Sequence, residues 1–202
     1  MNWRTHRGKI EWVRDLLVIN LRPGGAPEGT QPVSHLHVYY TTYCPHSGPG
    51  HFAYLRLADS AHPDLRRGVT LTDAPAVVDY VRRRFREAGV TEFDLESAAI
   101  PAVFGRSIDA DRLSMRIEAD ALLVQARWEG LGVARLSEGA SYTYKDEHIW
   151  SLVREASDAT LMVNGVQATG VNYPDERFRP MYRRMVQSCQ VAFGEIVARR
   201  VL

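Results

Sequence analysis

The segment VSHLHVYYTTYCPHSGPGHFAYLRLAD, residues 33–59, decides how the chain is expected to fold. Its first part is rich in β-branched and aromatic residues, which favour a pleated strand, and the run that begins at His51 has the same character. Two prolines and two glycines lie between the two runs, at residues 44–50, and this composition is typical of a turn. The segment therefore predicts a β-hairpin.

Histidines are concentrated in this hairpin, which holds four of the seven in the chain together with Cys44. Side chains alternate between the two faces of a strand, so His35, His37 and Tyr39 are expected to point the same way. The hairpin therefore holds the strongest candidates in the sequence for metal ligands, acid–base groups and nucleophiles.

The pairing register of the hairpin decides which group joins the two imidazoles. If Tyr43 pairs with His51 across the turn, then His35 lies opposite Asp59, and two imidazoles share a patch with a carboxylate. A slip of one residue would move Asp59 to the opposite face, because side chains alternate with a period of two.

Three interpretations of this cluster stay open. The first is a site for zinc or another divalent transition metal, because a His-X-His strand pair offers two ligands on one face. Its candidate ligands are His35, His37, His51 and Asp59. The second is general acid–base or nucleophilic chemistry, with Cys44 and its neighbour His46 as the candidate pair. The third is a polar, solvated hairpin face with histidines in the turn and no chemistry.

Composition limits the class of protein. A chain of 202 residues is expected to form one domain, 1–202, and 45% hydrophobic residues can bury a core. The net charge of +1 argues against a nucleic-acid partner. The start has no apolar signal segment, and no apolar run approaches the length that spans a bilayer. Two distant cysteines, Cys44 and Cys189, suit a reducing compartment. We therefore expect a cytoplasmic protein without a membrane partner.

Periodicity along the rest of the chain predicts an α+β fold. Apolar residues at three- and four-residue spacing predict two helices, at about 73–88 and 178–196, with Asp73 as the cap of the first. Gly194 weakens the second pattern, so a strand over 192–202 stays open as the alternative for its last part. Alternation over 112–128 and the Asn164-Gly165 pair predict two further hairpins. The total is about nine or ten strands in a mostly antiparallel, curved sheet. This outline is barrel-like or helix-grip-like and is similar to helix-grip and lipocalin-type pocket proteins at the level of architecture only.

Two function classes follow. One is a binding protein or cofactor-free enzyme for a small, partly apolar molecule held between the curved sheet and the C-terminal helix, with Tyr39, Trp128 and Trp150 lining the pocket. The other is a metal-dependent enzyme that uses the His-X-His pair to activate water or polarise a carbonyl. An interaction module without a ligand is a third class, and exposed strand edges also allow a homodimer.

Overall fold

The computed structural model describes residues 8–89, 97–141 and 147–200, and strands dominate it. The fifteen strands in these ranges are β1 (Gly8–Leu21), β2 (Ser34–Tyr43), β3 (Gly50–Leu57), β4 (Val69–Thr72), β5 (Ala99–Pro101), β6 (Val103–Ile108), β7 (Leu113–Ala119), β8 (Leu122–Glu129), β9 (Arg135–Ala140), β10 (Glu147–Glu155), β11 (Asp158–Val163), β12 (Val166–Gln167), β13 (Pro174–Asp175), β14 (Val186–Gln187) and β15 (Cys189–Arg200).

Helices are few and short. Those in the described ranges are α1 (Pro63–Arg67), α2 (Pro75–Glu87), a 3-10 helix (Glu176–Phe178) and α3 (Arg179–Tyr182). None of them is long and apolar enough to pass through a lipid bilayer.

The strands form a large sheet, a smaller sheet and a short ribbon. The eight-stranded sheet has the order β5-β4-β3-β2-β1-β15-β10-β9, and all of its neighbours are antiparallel except β4 and β5. The five-stranded sheet has the order β12-β11-β8-β7-β6 and is antiparallel throughout. The ribbon pairs β13 with β14. Irregularities in the pairing of β1 with β15 and β2 accompany the curvature of the large sheet.

Two cores lie on the two faces of the eight-stranded sheet. The inter-sheet core lies between this sheet and the five-stranded sheet. The helix-side core lies on the opposite face of the large sheet, between that face and α2, the 3-10 helix and α3. The largest fully buried members of the inter-sheet core are Leu17, Ile19, Leu36, Leu55, Leu71, Leu113, Ile117, Trp128 and Leu161. The helix-side core includes Trp12, Leu16, Val18, Tyr39, Phe52, Val81, Ile149, Val153 and Met181.

The prediction of a mostly antiparallel, curved sheet with few helices is confirmed, although its strand count of nine or ten is too low. The missing strands are mainly short ones. Both edges of the eight-stranded order, β5 and β9, lack a second neighbour in the described part of the chain, so the barrel-like or helix-grip-like outline is matched only in its curvature.

The first predicted helix is confirmed as α2, but its predicted cap is not. Ala74 is the N-cap residue, and no side chain caps the helix there. Asp73 instead accepts hydrogen bonds from the backbone N–H and ring Nδ1 of His51, at 2.7 and 2.5 Å. The carboxylate that local sequence assigns to the helix is therefore used to tie the helix start to the hairpin.

The second predicted helix, 178–196, is wrong. The helical part ends at Tyr182, and β15 then runs from Cys189 between β1 and β10 in the large sheet. A step of four residues, such as Cys189 to Phe193, returns to the same face in a helix and also in a strand, so the apolar stripe did not separate the two. Pairing with two long neighbours on either side favours the strand.

The hairpin at 33–59 is confirmed, but the predicted register is wrong by three residues. Tyr40 pairs with His51, and His35 pairs with Arg56. The last pair between β2 and β3 is Thr41 with Gly50, and β2 continues to Tyr43 by pairing with β1 alone, so residues 42–49 separate the two paired segments in place of the predicted 44–50. At Gly50 a Cβ would lie 2.1 Å from that of Ala74, which explains why a glycine begins β3.

Candidate functional site

The structure brings the two strand histidines together on the helix-side face of the large sheet. Their ring centroids are 6.2 Å apart, and both side chains are buried. Across the neighbouring strands, His35 pairs with Asn20 of β1, and His37 pairs with Tyr54 of β3. The predicted sharing of one face is therefore correct.

Burial keeps both imidazoles neutral. It lowers the pKa of His35 to about 4, with further lowering from the positive charges of Arg177 and Arg56. It also lowers the pKa of His37 well below its usual value, and His35 and Arg177 add to that effect. Near neutral pH each ring therefore carries one N–H donor and one lone-pair acceptor.

Hydrogen bonds fix the tautomer of His37. Its Nε2 lies 2.9 Å from Oδ1 of Asn20, and an amide oxygen only accepts, so Nε2 carries the proton. His35 interacts with the backbone of Pro32 in a way that raises its pKa, which means that one ring nitrogen donates to that backbone.

The other two residues of the predicted metal set lie elsewhere. His51 pairs with Tyr40, whose ring belongs to the inter-sheet core, so it lies on the face opposite His35 and His37. Asp59 follows β3 and accepts a hydrogen bond from Thr169 at 2.9 Å. Within residues 8–89, 97–141 and 147–200, no three histidine, cysteine, aspartate or glutamate side chains are grouped to hold a metal ion. Metal binding is therefore not supported by this geometry.

The loop pair Cys44 and His46 also separates. Cys44 is buried in the helix-side core. The ring of His46 stacks on Tyr80 with centroids 5.4 Å apart, and its Nε2 lies 3.3 Å from a carboxylate oxygen of Glu11. These contacts use the imidazole to hold the loop against α2 and β1, and the structure shows no bond between it and the thiol.

The three predicted ligand-binding aromatic residues do not meet in one place. Tyr39 is stacked between Trp12 and Phe52, with centroid distances of 5.6 and 4.3 Å. Trp128 fills the inter-sheet core, and its indole N–H donates to the carbonyl of Val18 at 2.8 Å. Trp150 is half-buried on β10. Their part in ligand binding stays a prediction.

A cavity of about 680 Å³ opens between the two sheets, at the end where the β7–β8 turn and the β11–β12 hairpin face β3, β4 and α1. Aliphatic side chains from both sheets and from α1 form its interior, and these are Leu57, Leu65, Val69, Ile100, Leu122 and Val163. The cavity continues the inter-sheet core to the surface, so a molecule inside it would touch the same kind of surface that the two sheets bury against each other.

The charged side chains that line this cavity are exposed and form its rim, whereas the polar Ser34 is buried and its hydroxyl donates to the carbonyl of Thr169. Three carboxylates, Asp59, Asp64 and Asp120, lie at the rim together with His62, and no lysine or arginine is among the described residues that line the cavity. Asp64 lies 3.8 Å from Nδ1 of His62. The rim therefore has a negative potential and disfavours anionic molecules.

The sequence did not indicate these lining residues as a group. They come from five separate segments, and each belongs to a strand or turn pattern that a solid core would give equally well. The only available signal was the small-residue run Ala119-Asp120-Ala121 in a predicted hairpin turn, which leaves space instead of filling it.

Comparisons with known proteins assign no family to this chain. No family model matches the sequence, and no curated protein matches it. The chain is similar to the crystal structure of acetoacetate decarboxylase from Legionella pneumophila, with 9% sequence identity and a TM-score of 0.37, over 96% of this chain and 86% of that chain. A likeness at this level carries no functional argument, so the function has to be inferred from the chain's own residues.

Proposed function

We propose that the protein binds a small, partly apolar molecule in the cavity between its two sheets. The observation that carries the proposal is the cavity itself, at about 680 Å³, with aliphatic side chains in its interior and charged groups at its exposed rim. Sites for small molecules typically have volumes of about 300–1,000 Å³ and combine apolar walls with a few polar groups. The sequence predicted the pocket between the curved sheet and a C-terminal helix, whereas this cavity lies between the two sheets, and residues 189–200 form a strand.

The rim selects the charge of the ligand. Asp59, Asp64 and Asp120 favour a neutral or cationic polar group at the mouth, and the aliphatic walls favour a hydrocarbon body inside. A linear or monocyclic aliphatic alcohol or amine meets both conditions. A fatty acid of the same length meets only the second.

The proposal is tested with a neutral fluorescent probe, N-phenyl-1-naphthylamine, whose emission rises in apolar surroundings. The wild-type protein is expected to bind it saturably. Ala119→Trp places an indole inside the cavity and should raise the dissociation constant at least tenfold. The matched control is Ala140→Trp, which adds the same group at an exposed position on β9, away from the cavity, and should change binding less than twofold.

Displacement of the probe then separates ligand classes. Octylamine and octanol are expected to displace it at lower concentrations than octanoate does. If the probe does not bind, or if both tryptophan variants bind it as the wild type does, the cavity is not a ligand site.

We further infer a cytoplasmic location, because Cys44 and Cys189 are both free thiols and are buried. Free thiols are usual where the compartment is reducing. A single domain and a homodimer stay predictions. Light scattering on the eluting protein would test the dimer, for which the exposed pair Leu136 and Leu152 on β9 and β10 is the candidate contact.

A further inference from the structure

A second site is indicated by three buried polar side chains on the helix-side face of the large sheet. His35 lies on β2, Asn20 on β1 and Gln190 on β15. Their exposed fractions are 7%, 0% and 0%. Polar groups of this kind are buried at a cost unless they are hydrogen-bonded, so each of them needs a partner.

The sheet register places the three side chains side by side. Asn20 and His35 are direct cross-strand partners, whose Cβ atoms are typically about 5 Å apart. Gln190 pairs with Val18, which lies two residues before Asn20 and on the same face. Gln190 is thus a diagonal neighbour of Asn20, at a distance of about 7–8 Å that a glutamine side chain can cross.

Four hydrogen-bonding atoms of this group have no partner among the residues that the structure describes. They are Nε2 of His35, Nδ2 of Asn20, and both Oε1 and Nε2 of Gln190. Unpaired buried groups in a native protein are typically met by a water molecule, an ion or a ligand. Four of them in one small area point to a common partner.

The roles of the four atoms can be assigned. Oδ1 of Asn20 is already used by His37, so Nδ2 is the free donor of this amide. Neutral His35 uses its other nitrogen towards Pro32, which leaves Nε2 as an acceptor. Gln190 adds one acceptor and one donor. The site therefore offers two acceptors and two donors.

The surrounding charges favour a neutral occupant. The guanidinium of Arg177 acts on both histidines, but it is paired with Asp175 at 2.7 Å. Arg56 donates to the backbone carbonyl of Arg66, and Glu155, the cross-strand partner of Gln190, is paired with Arg184. The small exposed fraction of His35 gives the site contact with solvent.

We propose that this polar site binds a primary carboxamide. The NH₂ group of such a ligand donates to His35 Nε2 and Gln190 Oε1, and its carbonyl oxygen accepts from Asn20 Nδ2 and Gln190 Nε2. A primary amide has two N–H donors and one carbonyl oxygen with two lone pairs, so the four unpartnered atoms are matched one for one. The site is separate from the inter-sheet cavity and does not depend on the function proposed for it.

The test titrates the protein with acetamide and with two analogues. Binding is measured by the NMR shifts of the imidazole ¹⁵N signals of His35. Acetamide is expected to shift the Nε2 signal saturably. N,N-dimethylacetamide has no donor and acetate has no donor and a charge, so each should bind at least tenfold more weakly. Equal or tighter binding of either analogue would overturn the proposal. An absence of any saturable shift with acetamide would overturn it too, because water alone then fills the site.

Gln190→Leu provides a second test, in which the stability of the protein and its affinity for acetamide are expected to change in opposite directions. Removing two unpartnered polar atoms should raise the melting temperature of the ligand-free protein. The same change should weaken acetamide binding at least tenfold. Gln125→Leu is the matched control, because Gln125 is exposed on β8 and should change neither. If Gln190→Leu fails to fold, the comparison of the three probes on the wild type still decides.

Discussion

The two faces of the eight-stranded sheet are built from the same strands but differ in kind. On β1 and β2 the residues Leu17, Ile19, Leu36 and Val38 point into the inter-sheet core, and this face is aliphatic. Their neighbours along the same strands include Arg14, Asn20, His35 and His37, which are buried on the helix-side face. The inter-sheet face is stabilised mainly by buried apolar area, with the hydrogen bond of Trp128 to Val18 as a polar contact, and the helix-side face is stabilised by apolar area together with several buried ion pairs and hydrogen bonds.

This difference explains where each candidate site lies. An aliphatic interface has no directional contacts to satisfy, so it can remain partly open at one end and form a cavity for an apolar molecule. A face with buried polar groups is specific about its partners, because each group needs a bond with the correct geometry. The four following predictions test this contrast, from the largest expected effect to the smallest.

Loss of Trp128 should have the largest effect, because it removes the biggest side chain of the inter-sheet core. Trp128→Ala is expected to lower the free energy of unfolding by about 4 kcal/mol, because it leaves a void in the core and removes the hydrogen bond to the carbonyl of Val18. Urea unfolding measures this. Trp150→Ala, at a half-buried tryptophan outside this core, should cost less than half as much. Equal costs would mean that the inter-sheet core does not dominate stability.

On the helix-side face, Glu195→Gln should cost about 3 kcal/mol, because it leaves the buried guanidinium of Arg14 without its counter-charge. Nε of Arg14 donates to Glu195 at 2.7 Å, and the hydroxyl of Tyr182 donates to the same carboxylate at 3.3 Å. The double variant Arg14→Leu/Glu195→Leu should regain most of the loss in a urea titration. A double variant that is less stable than Glu195→Gln would contradict a cost due to the unpaired charge.

The neutral histidines predict a pH dependence of stability. In the folded protein the pKa of His35 is about 4, whereas in the unfolded chain it is near its usual value of 6.5. The unfolded state therefore binds more protons between these values, and the free energy of unfolding falls as the pH is lowered through that range. For His35 alone the loss at pH 5 is about 2 kcal/mol.

The variant His35→Gln should flatten this dependence, measured as the difference between urea titrations at pH 7 and pH 5. His62→Gln is the control, because His62 is exposed. Parallel pH dependences of the wild type and His35→Gln would show that burial does not hold His35 neutral.

The smallest effect is expected at the rim of the cavity. Asp120→Asn removes one exposed carboxylate and should weaken octylamine binding about threefold, since single exposed charges contribute little. Octanol binding should not change. A loss of octanol binding of the same size would show that Asp120 shapes the cavity and does not act through its charge.

Local patterns predicted the elements of this fold well, and long-range pairing explains the failures. Alternation identified β7 and β8, and Asn164-Gly165 identified the β11–β12 turn, where both residues have positive φ angles of 51° and 79°. These signals lie within a few residues. By contrast, the first part of β15 was predicted as a helix, because nothing near Cys189 in the sequence shows that β1 and β10 pair with this strand on either side. The strand that Gly194 left open for 192–202 agrees with the second part of β15.

The candidate sites were predicted only in part for the same reason. The shared face of His35 and His37 follows from alternation within one strand. Asn20 and Gln190 were missed, although each is a polar residue within an apolar strand, because the partners that make them a cluster lie on other strands. Asp59 was assigned to the cluster by a register that the hairpin does not adopt.

Methyl-resolved NMR with octanol tests the central contrast most directly. If the inter-sheet cavity is the ligand site, octanol should shift the methyl signals of Ile100, Leu122 and Val163 saturably and leave those of Val18 and Val153, on the helix-side face, unchanged. Shifts on the helix-side face alone, or none at all, would contradict the assignment of ligand binding to the aliphatic face of the sheet.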